Sequence, residues 1–163
     1  EKVGELYSTG EYFLPQMIAS AAAMKKGFAI LKPLLSTSAG QQLGTVVIGT
    51  VRGDVHDIGK NIVAMMLENH GFQVHDLGKD VPSETFIEKA RQLDADLRCM
   101  SSLLTTTMGE RTTVSSMARD AGLRARLLVG GAVVTADYAE SIAASYGRDA
   151  VEAVARAREL VRV

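Results

Sequence analysis

Two rhythms of apolar residues divide the chain. Over the first 35 residues Leu14, Ile18, Ala21, Ala22, Met24, Phe28, Leu31 and Leu35 recur at helical spacing, alanine is abundant and strand formers are scarce. The pattern predicts one or two helices from about Tyr12 to Leu35, broken near Gly27 or Pro33. Helices of this kind do not fold alone, so residues 1–36 read as the remaining part of a helical bundle. Ser, Thr, Gly and Gln without apolar periodicity make residues 37–43 a linker. From Gly44 to Val163 the rhythm becomes strand, loop, helix. Thr45–Val51 is a continuous β-branched run, as in a central parallel strand covered on both faces. A helix over Gly59–Asn69, a strand over Gln73–Leu77 and a helix over Glu84–Leu93 capped by Ser83 follow. Next come a strand over Asp96–Ser101, a helix over Met108–Ala121, a strand over Ala125–Val129, and helices over Ala136–Ala143 and Asp149–Val161. A short fifth strand is placed at Ala144–Tyr146. Alternation of this kind predicts an α/β domain built on an open, parallel, doubly wound sheet with right-handed crossovers.

Composition narrows the function without naming it. Nearly half of the 163 residues (47%) are apolar and 23% are charged, which is globular composition. Eighteen basic residues against nineteen acidic leave a net charge of −1, so no broad field attracts nucleic acid or an anionic membrane. The uncharged apolar runs are strand-sized and well short of the ~20 residues of a membrane span. The single cysteine, Cys99, excludes an intrachain disulfide and fits a reducing, cytoplasmic setting. The chain begins at Glu1 and not at Met, so it is expected to be a piece of a longer protein.

In doubly wound sheets ligands bind beyond the carboxyl ends of the strands. That rule singles out the loops Arg52–Ile58, Ser102–Thr107 and Gly130–Thr135. In the first, His56 lies between Asp54 and Asp57, and in an extended loop Asp54 and His56 project to the same side. A carboxylate beside an imidazole accepts its Nδ1–H, fixes the tautomer and makes Nε2 the better donor to a metal. Gly59 lets a bulky group approach the start of the following helix. The plainer alternative makes Asp57 a helix cap and His56 a solvated loop residue. One His is too few ligands for a protein zinc site, so any metal here must bring most of its own ligands, as in a macrocycle.

Asp54-Val55-His56-Asp57-Ile58-Gly59-Lys60-Asn61 closely resembles the cobalamin-binding motif of methyl-transferring corrinoid proteins, in which D-x-H-x-x-G is followed by S-x-L and then G-G. Here Ser101-Ser102-Leu103 follows after the 41 residues from 60 to 100, and Gly130-Gly131 after the 26 from 104 to 129. Leu103-Leu104-Thr105-Thr106-Thr107-Met108 and Gly130-Gly131-Ala132 are similar to the stand-alone corrinoid proteins of anaerobic methyltransferase systems. The alanine-rich helices are similar to the second half of that family's four-helix cap.

The resemblance implies a flavodoxin-like (Rossmann-like) B12-binding domain over 44–163 with cobalamin or a related corrinoid as cofactor. It makes His56 the lower axial ligand of cobalt, with Asp54 hydrogen-bonded to its ring and Ser101 extending the relay. Val55, Asp57, Ile58 and Ala132 would border the cofactor. Gly59, Ser101, Leu103, Thr105, Gly130 and Gly131 would line a slot for the displaced nucleotide tail, the glycines because a side chain would fill it. The implied function is a methyl-carrying subunit, not an enzyme complete in itself. Its expected partners are a substrate methyltransferase, an acceptor methyltransferase using tetrahydrofolate or a thiol, and a reductive activating protein, with no nucleic acid and no membrane. A B12-binding regulator and the cobalamin domain of an adenosylcobalamin mutase are the competing readings. A phosphoacceptor receiver of similar topology lacks its paired acidic residues and lysine here.

Elsewhere, His70 and His75 read as surface residues flanking a strand, Cys99 as a small buried hydrophobe, and Lys60 as a phosphate contact or a solvated helix-start lysine. Arg98 departs from the family, which prefers an apolar residue there, and puts the burial of the third strand in question. Tyr146 is a weaker candidate for a tail contact.

Overall fold

The computed structural model describes residues 3, 6, 9–35 and 43–161, and the chain divides into two compact units, 1–37 and 38–163. The linker expected at 37–43 lies outside the described residues except for Leu43.

In the first unit the helix α1 (Leu14–Leu35) runs without the break expected near Gly27 or Pro33. Gly27 costs only about 1 kcal/mol in a helix interior. Pro33 falls in the last turn, so only the final residues of the helix follow the bond its missing N–H removes. At its start Phe13 N–H donates to Gln16 Oε1 at 3.1 Å, which satisfies one of the orphan donors of the first turn.

The second unit is built from β1 (Gly44–Thr50), α2 (Ile58–Asn69), β2 (Phe72–Asp76), α3 (Ser83–Gln92) and β3 (Leu97–Ser101). A 3₁₀ turn at Thr105–Thr107, α4 (Met108–Asp120), β4 (Arg126–Gly130), α5 (Ala136–Ser141), β5 (Ser145–Tyr146) and α6 (Ala150–Val161) complete it. All strand pairs are parallel in the order β2-β1-β3-β4-β5, the flavodoxin-like winding. The order reverses between β1 and β3, which opens a crevice beyond their carboxyl ends.

Period-two alternation splits the strand side chains between two cores. Val46, Ile48, Leu97, Cys99 and Leu128 pack with Ala64 and Leu67 of α2 and with Ala153, Val154 and Ala157 of α6. Val47, Val51, Met100, Leu127 and Val129 pack with Phe86, Ile87 and Ala90 of α3 and with Val114 and Ala118 of α4. Gly49 is required by this second layer, because a Cβ there would stand 2.8 Å from the ring of Phe86.

Several expectations change on contact with the packing. Ser83 is the first residue of α3 and does not cap it, with Pro82 in the cap position. Its hydroxyl donates instead to Glu110 Oε2 at 3.0 Å and ties α3 to α4. His75 lies within β2 and is half-buried, while His70 ends α2 with Nδ1 2.7 Å from the Met66 carbonyl. Strand β3 is buried despite Arg98, which is itself 5% exposed. Cys99 is a buried small residue, and burial raises its thiol pKa to about 12. Tyr146 packs against the α3/α4 core and does not line the cavity described below.

Candidate functional site

The site is assembled where the loops after β1, β3 and β4 meet. After β1 the chain turns through Gly53, whose φ of +78° places it in the left-handed region. Asp80 fixes that turn, accepting the Gly53 N–H at 2.7 Å on Oδ1 and donating its own N–H to the Asp54 carbonyl at 3.0 Å. Asp54 is thereby turned inward and is completely buried.

Its carboxylate is surrounded by donors. Oδ1 accepts the His56 backbone N–H at 3.0 Å and contacts His56 Nδ1 at 2.8 Å. Oδ2 accepts the N–H groups of Leu103 at 2.7 Å and Leu104 at 3.2 Å, and the Thr107 hydroxyl lies 3.3 Å away. Burial alone would raise the carboxyl pKa, but the backbone N–H groups of His56, Leu103 and Leu104 and the His56 ring outweigh it and hold the group well below the ordinary carboxylate range. An ionised Asp54 only accepts, so Nδ1 carries the proton and the lone pair of the neutral ring sits on Nε2. The His56 side chain is 48% exposed, so this donor faces outward from a fixed base.

Beside this pair lies a cavity of about 360 Å³. The first turn of α2 (Gly59, Lys60, Ile62, Val63), the ends of β3 and β4 (Cys99–Ser101, Leu128–Gly130), Gly131, Ala132 and the segment Gly147–Ala150 form its walls. The loop that carries His56 runs directly into the Gly59 wall. A Cβ on Gly59 would meet no atom within 4 Å and would occupy cavity space.

Gly130 and Gly131 line the cavity, but their small size is required by the backbone behind them. A Cβ on Gly131 would stand 2.2 Å from the Ser102 carbonyl, and one on Gly130 would stand 2.8 Å from the Gly147 carbonyl. Gly131 also has φ +123°, a conformation that a side chain rarely adopts. The glycine pair therefore lets the β3, β4 and β5 loops touch, which corrects the expectation that its role is only to leave the slot open.

The expected residues separate into groups. Asp54 and His56 are joined as expected, and Gly59, Ser101, Gly130, Gly131 and Ala132 share the cavity wall. Ser101 does not extend the relay, because Asp54 Oδ2 is taken by Leu103, Leu104 and Thr107, and Ser101 borders the cavity instead. Leu103 and Thr105 are exposed and lie off the cavity wall. Leu103 acts through its N–H. Val55 is 58% exposed, Asp57 holds the cap position of α2 and Ile58 is its first residue. Lys60 is neither a solvated lysine nor a free phosphate contact, for it is 2% exposed and paired with Asp76 and with Asn61 Oδ1.

Two contributors were missed. Thr107 sets its hydroxyl 3.3 Å from Asp54 Oδ2 and 2.9 Å from the Leu104 carbonyl, beside the donors that surround Asp54. Arg111 is fully buried, and its Nη2 donates to the Gly130 carbonyl at 2.7 Å and, at 3.4 Å, to that of Ser102, bridging two motif loops. Burial lowers its pKa to about 10, with the Asp54 carboxylate among the groups that oppose the shift. The signal was present in sequence, since Arg111, Val114 and Ala118 share one buried face of α4.

Among the described residues no three His, Cys, Asp or Glu side chains gather around a metal position. One imidazole with an outward Nε2, next to a mostly apolar cavity cleared at Gly59, fits a metal already held in a macrocycle.

A family model described as a B12 binding domain matches residues 44–157, and a second model of the same description matches residues 1–32. The chain belongs to the B12-binding family. It is 47% identical over 163 residues to dimethylamine corrinoid protein 3 of Methanosarcina acetivorans, covering 98% of this chain and 76% of that one. It is 44% identical over 168 residues to the trimethylamine corrinoid protein of Methanosarcina barkeri, covering 100% and 77%. The monomethylamine corrinoid protein of Methanosarcina barkeri superposes with a TM-score of 0.80 at 32% identity, covering 96% of this chain and 76% of that one. A chain of the methanol:cobalamin methyltransferase complex of Methanosarcina barkeri does so with 0.73 at 35%, covering 98% and 62%. A response-regulator receiver of Mycobacterium tuberculosis, 17% identical with a TM-score of 0.56, shares the fold alone. The cofactor is accordingly cobalamin or a related corrinoid. Among the described residues no helix is long and apolar enough to cross a membrane.

Proposed function

We propose that this chain is the methyl-carrying corrinoid subunit of a methyltransferase system, with His56 as the lower axial donor. When bound, the corrin supplies the cobalt that takes up and gives away the methyl group. The observation that carries the residue assignment is the fully buried, ionised Asp54 holding Nδ1–H of a half-exposed His56. Asp54 fixes the ring orientation and keeps the lone pair at Nε2. Nε2 would be the atom that holds the metal, or in its place a proton, with the Asp54 carboxylate facing Nδ1–H in either case. Gly59 leaves room beside the His56 loop, and the cavity walled by Ser101, Gly130 and Ala132 would hold the nucleotide tail. Arg111 and the glycine pair keep the three loops in register.

The partners that fit this carrier are a substrate methyltransferase, an acceptor methyltransferase using tetrahydrofolate or a thiol, and a reductive activating protein. A methylated amine is the donor class supported by the names of the relatives. Residues 1–36, matched in part by the second B12-binding model, are assigned as part of a helical cap, and 44–163 as the cobalamin-binding domain. A cytoplasmic location completes the reading.

The test is the visible spectrum of the full chain after reconstitution with methylcobalamin, beside His56→Ala. Retention of a corrin band by the wild type, with a shifted band in the variant, supports axial ligation by His56. A variant spectrum identical to the wild type overturns that assignment. Failure of the wild-type chain to retain corrinoid overturns the carrier reading for this chain.

A further inference from the structure

Arg98 has no part in the corrinoid site. It stands in β3 on the α3/α4 side of the sheet, near the amino-terminal edge, opposite the edge that carries His56. Only 5% of it is exposed. Its Nε and Nη2 both donate to the Ala125 carbonyl, at 3.2 and 2.9 Å, and Nη1 is buried with no partner. A buried guanidinium with one neutral acceptor is under-compensated.

It also lines a cleft of about 670 Å³ whose walls include Arg119, Arg124 and Arg126 and no carboxylate. None of these four arginines has a carboxylate within ion-pair distance among the described residues. Arg119 donates only to the Ser116 hydroxyl, at 3.3 Å. Asp94 and Asp96 line adjoining hollows with Arg124 and Arg126. Asp96 Oδ2 already accepts the Thr45 N–H at 2.7 Å.

We propose that this cleft is an oxyanion site for phosphate-class anions, with Arg98 as its fixed floor and Arg119, Arg124 and Arg126 as its adjustable walls. Guanidinium forks match phosphoryl oxygens two at a time. Four of them in one cleft suit a multivalent anion, whereas a single carboxylate would leave three charges uncompensated. The site is separate from the corrinoid cavity and shares no lining residue with it. The shared chemistry is a phosphoryl group, free or esterified.

Titration calorimetry of the full chain at fixed ionic strength tests this, with inorganic phosphate, pyrophosphate, ribose 5-phosphate and acetate as probes. The expected result is saturable one-site binding of at least one phosphate probe and none of acetate. It should be weakened at least tenfold, ~1.4 kcal/mol, by Arg124→Gln with Arg126→Gln and by Arg98→Met, and left unchanged by Arg156→Gln on α6. A preference for ribose 5-phosphate identifies an esterified ligand; a preference for the inorganic anions identifies a free one. Absence of binding, or equal weakening by Arg156→Gln, overturns the site in favour of general counter-ion attraction. If Arg98→Met fails to fold, the double variant decides, since it alters only exposed side chains.

Discussion

Two buried charges at opposite edges of one sheet are treated in opposite ways. Asp54, beyond the end of β1, is completely buried and has donors on both oxygens, four of them N–H groups and one a hydroxyl. Arg98, near the start of β3, is almost as buried and shares one carbonyl between two of its nitrogens while the third has none. A saturated charge is part of a finished, rigid device, and here it sets the proton on His56. An under-saturated charge retains unspent interaction and is the place to look for a ligand. The difference also predicts opposite outcomes when each charge is deleted.

The largest effect belongs to Asp54→Ala. It leaves the N–H groups of Leu103 and Leu104 and the His56 ring without their acceptor, so a loss of about 3–5 kcal/mol is expected. Urea unfolding measures it, and a loss below ~1 kcal/mol breaks the contrast. Gly131→Ala comes next. A Cβ 2.2 Å from the Ser102 carbonyl, at φ +123°, forces the β3 and β4 loops apart. The expected cost is about 2–3 kcal/mol, with corrinoid retention reduced as well.

The saturated carboxylate also gives the fold a pH dependence. The folded pKa of Asp54 is depressed, so its contribution is fully present above its unfolded value near ~3.9 and is lost as pH falls below that toward the folded value. The urea midpoint of the wild type should therefore drop below about pH 4 more steeply than that of Asp54→Asn, which has no carboxyl to protonate. Parallel curves would show that Asp54 is not the charge responsible. At the other edge, Arg98→Met exchanges an under-compensated charge for an apolar side chain of similar length. In the absence of anion it should be neutral or stabilising by about 1 kcal/mol, and a loss above ~2 kcal/mol would mean that Arg98 is structural.

These contrasts also mark what sequence could and could not show. The winding of the sheet was legible because its cause is local. β-branched runs, helical stripes and glycine-punctuated turns alternate, and chirality leaves few ways to connect them. The Asp54–His56 pair was legible for a similar reason, two residues apart in an extended loop. What failed to show depended on which atoms meet across the fold. Ser101 was expected on Asp54, but the donors that arrive are backbone N–H groups, which no motif spells. The glycine pair was assigned to the ligand, whereas carbonyls of Ser102 and Gly147, remote in sequence, dictate it. Lys60 and Asp76 are 16 residues apart and meet only because α2 packs back on β2. In α1 a break near Gly27 or Pro33 is expected, but the helix formers around them outweigh one glycine and one proline near the end.

The smallest expected effect on stability separates fold from ligand most cleanly. Gly59 opens the wall of the cavity, has no positive φ, and would place a Cβ in space where no atom lies within 4 Å. Gly59→Ala removes backbone freedom from the unfolded chain and suits the first turn of α2. The empty protein should therefore gain about 0.4–1 kcal/mol. The same methyl group occupies the room between the His56 loop and the cavity, so corrinoid retention after gel filtration should fall several-fold while the unfolding midpoint rises. No packing defect produces that combination, since a damaged fold loses both. A variant that gains stability and retains corrinoid like the wild type would show that the ligand does not lie against Gly59, and would move its entry away from the start of α2.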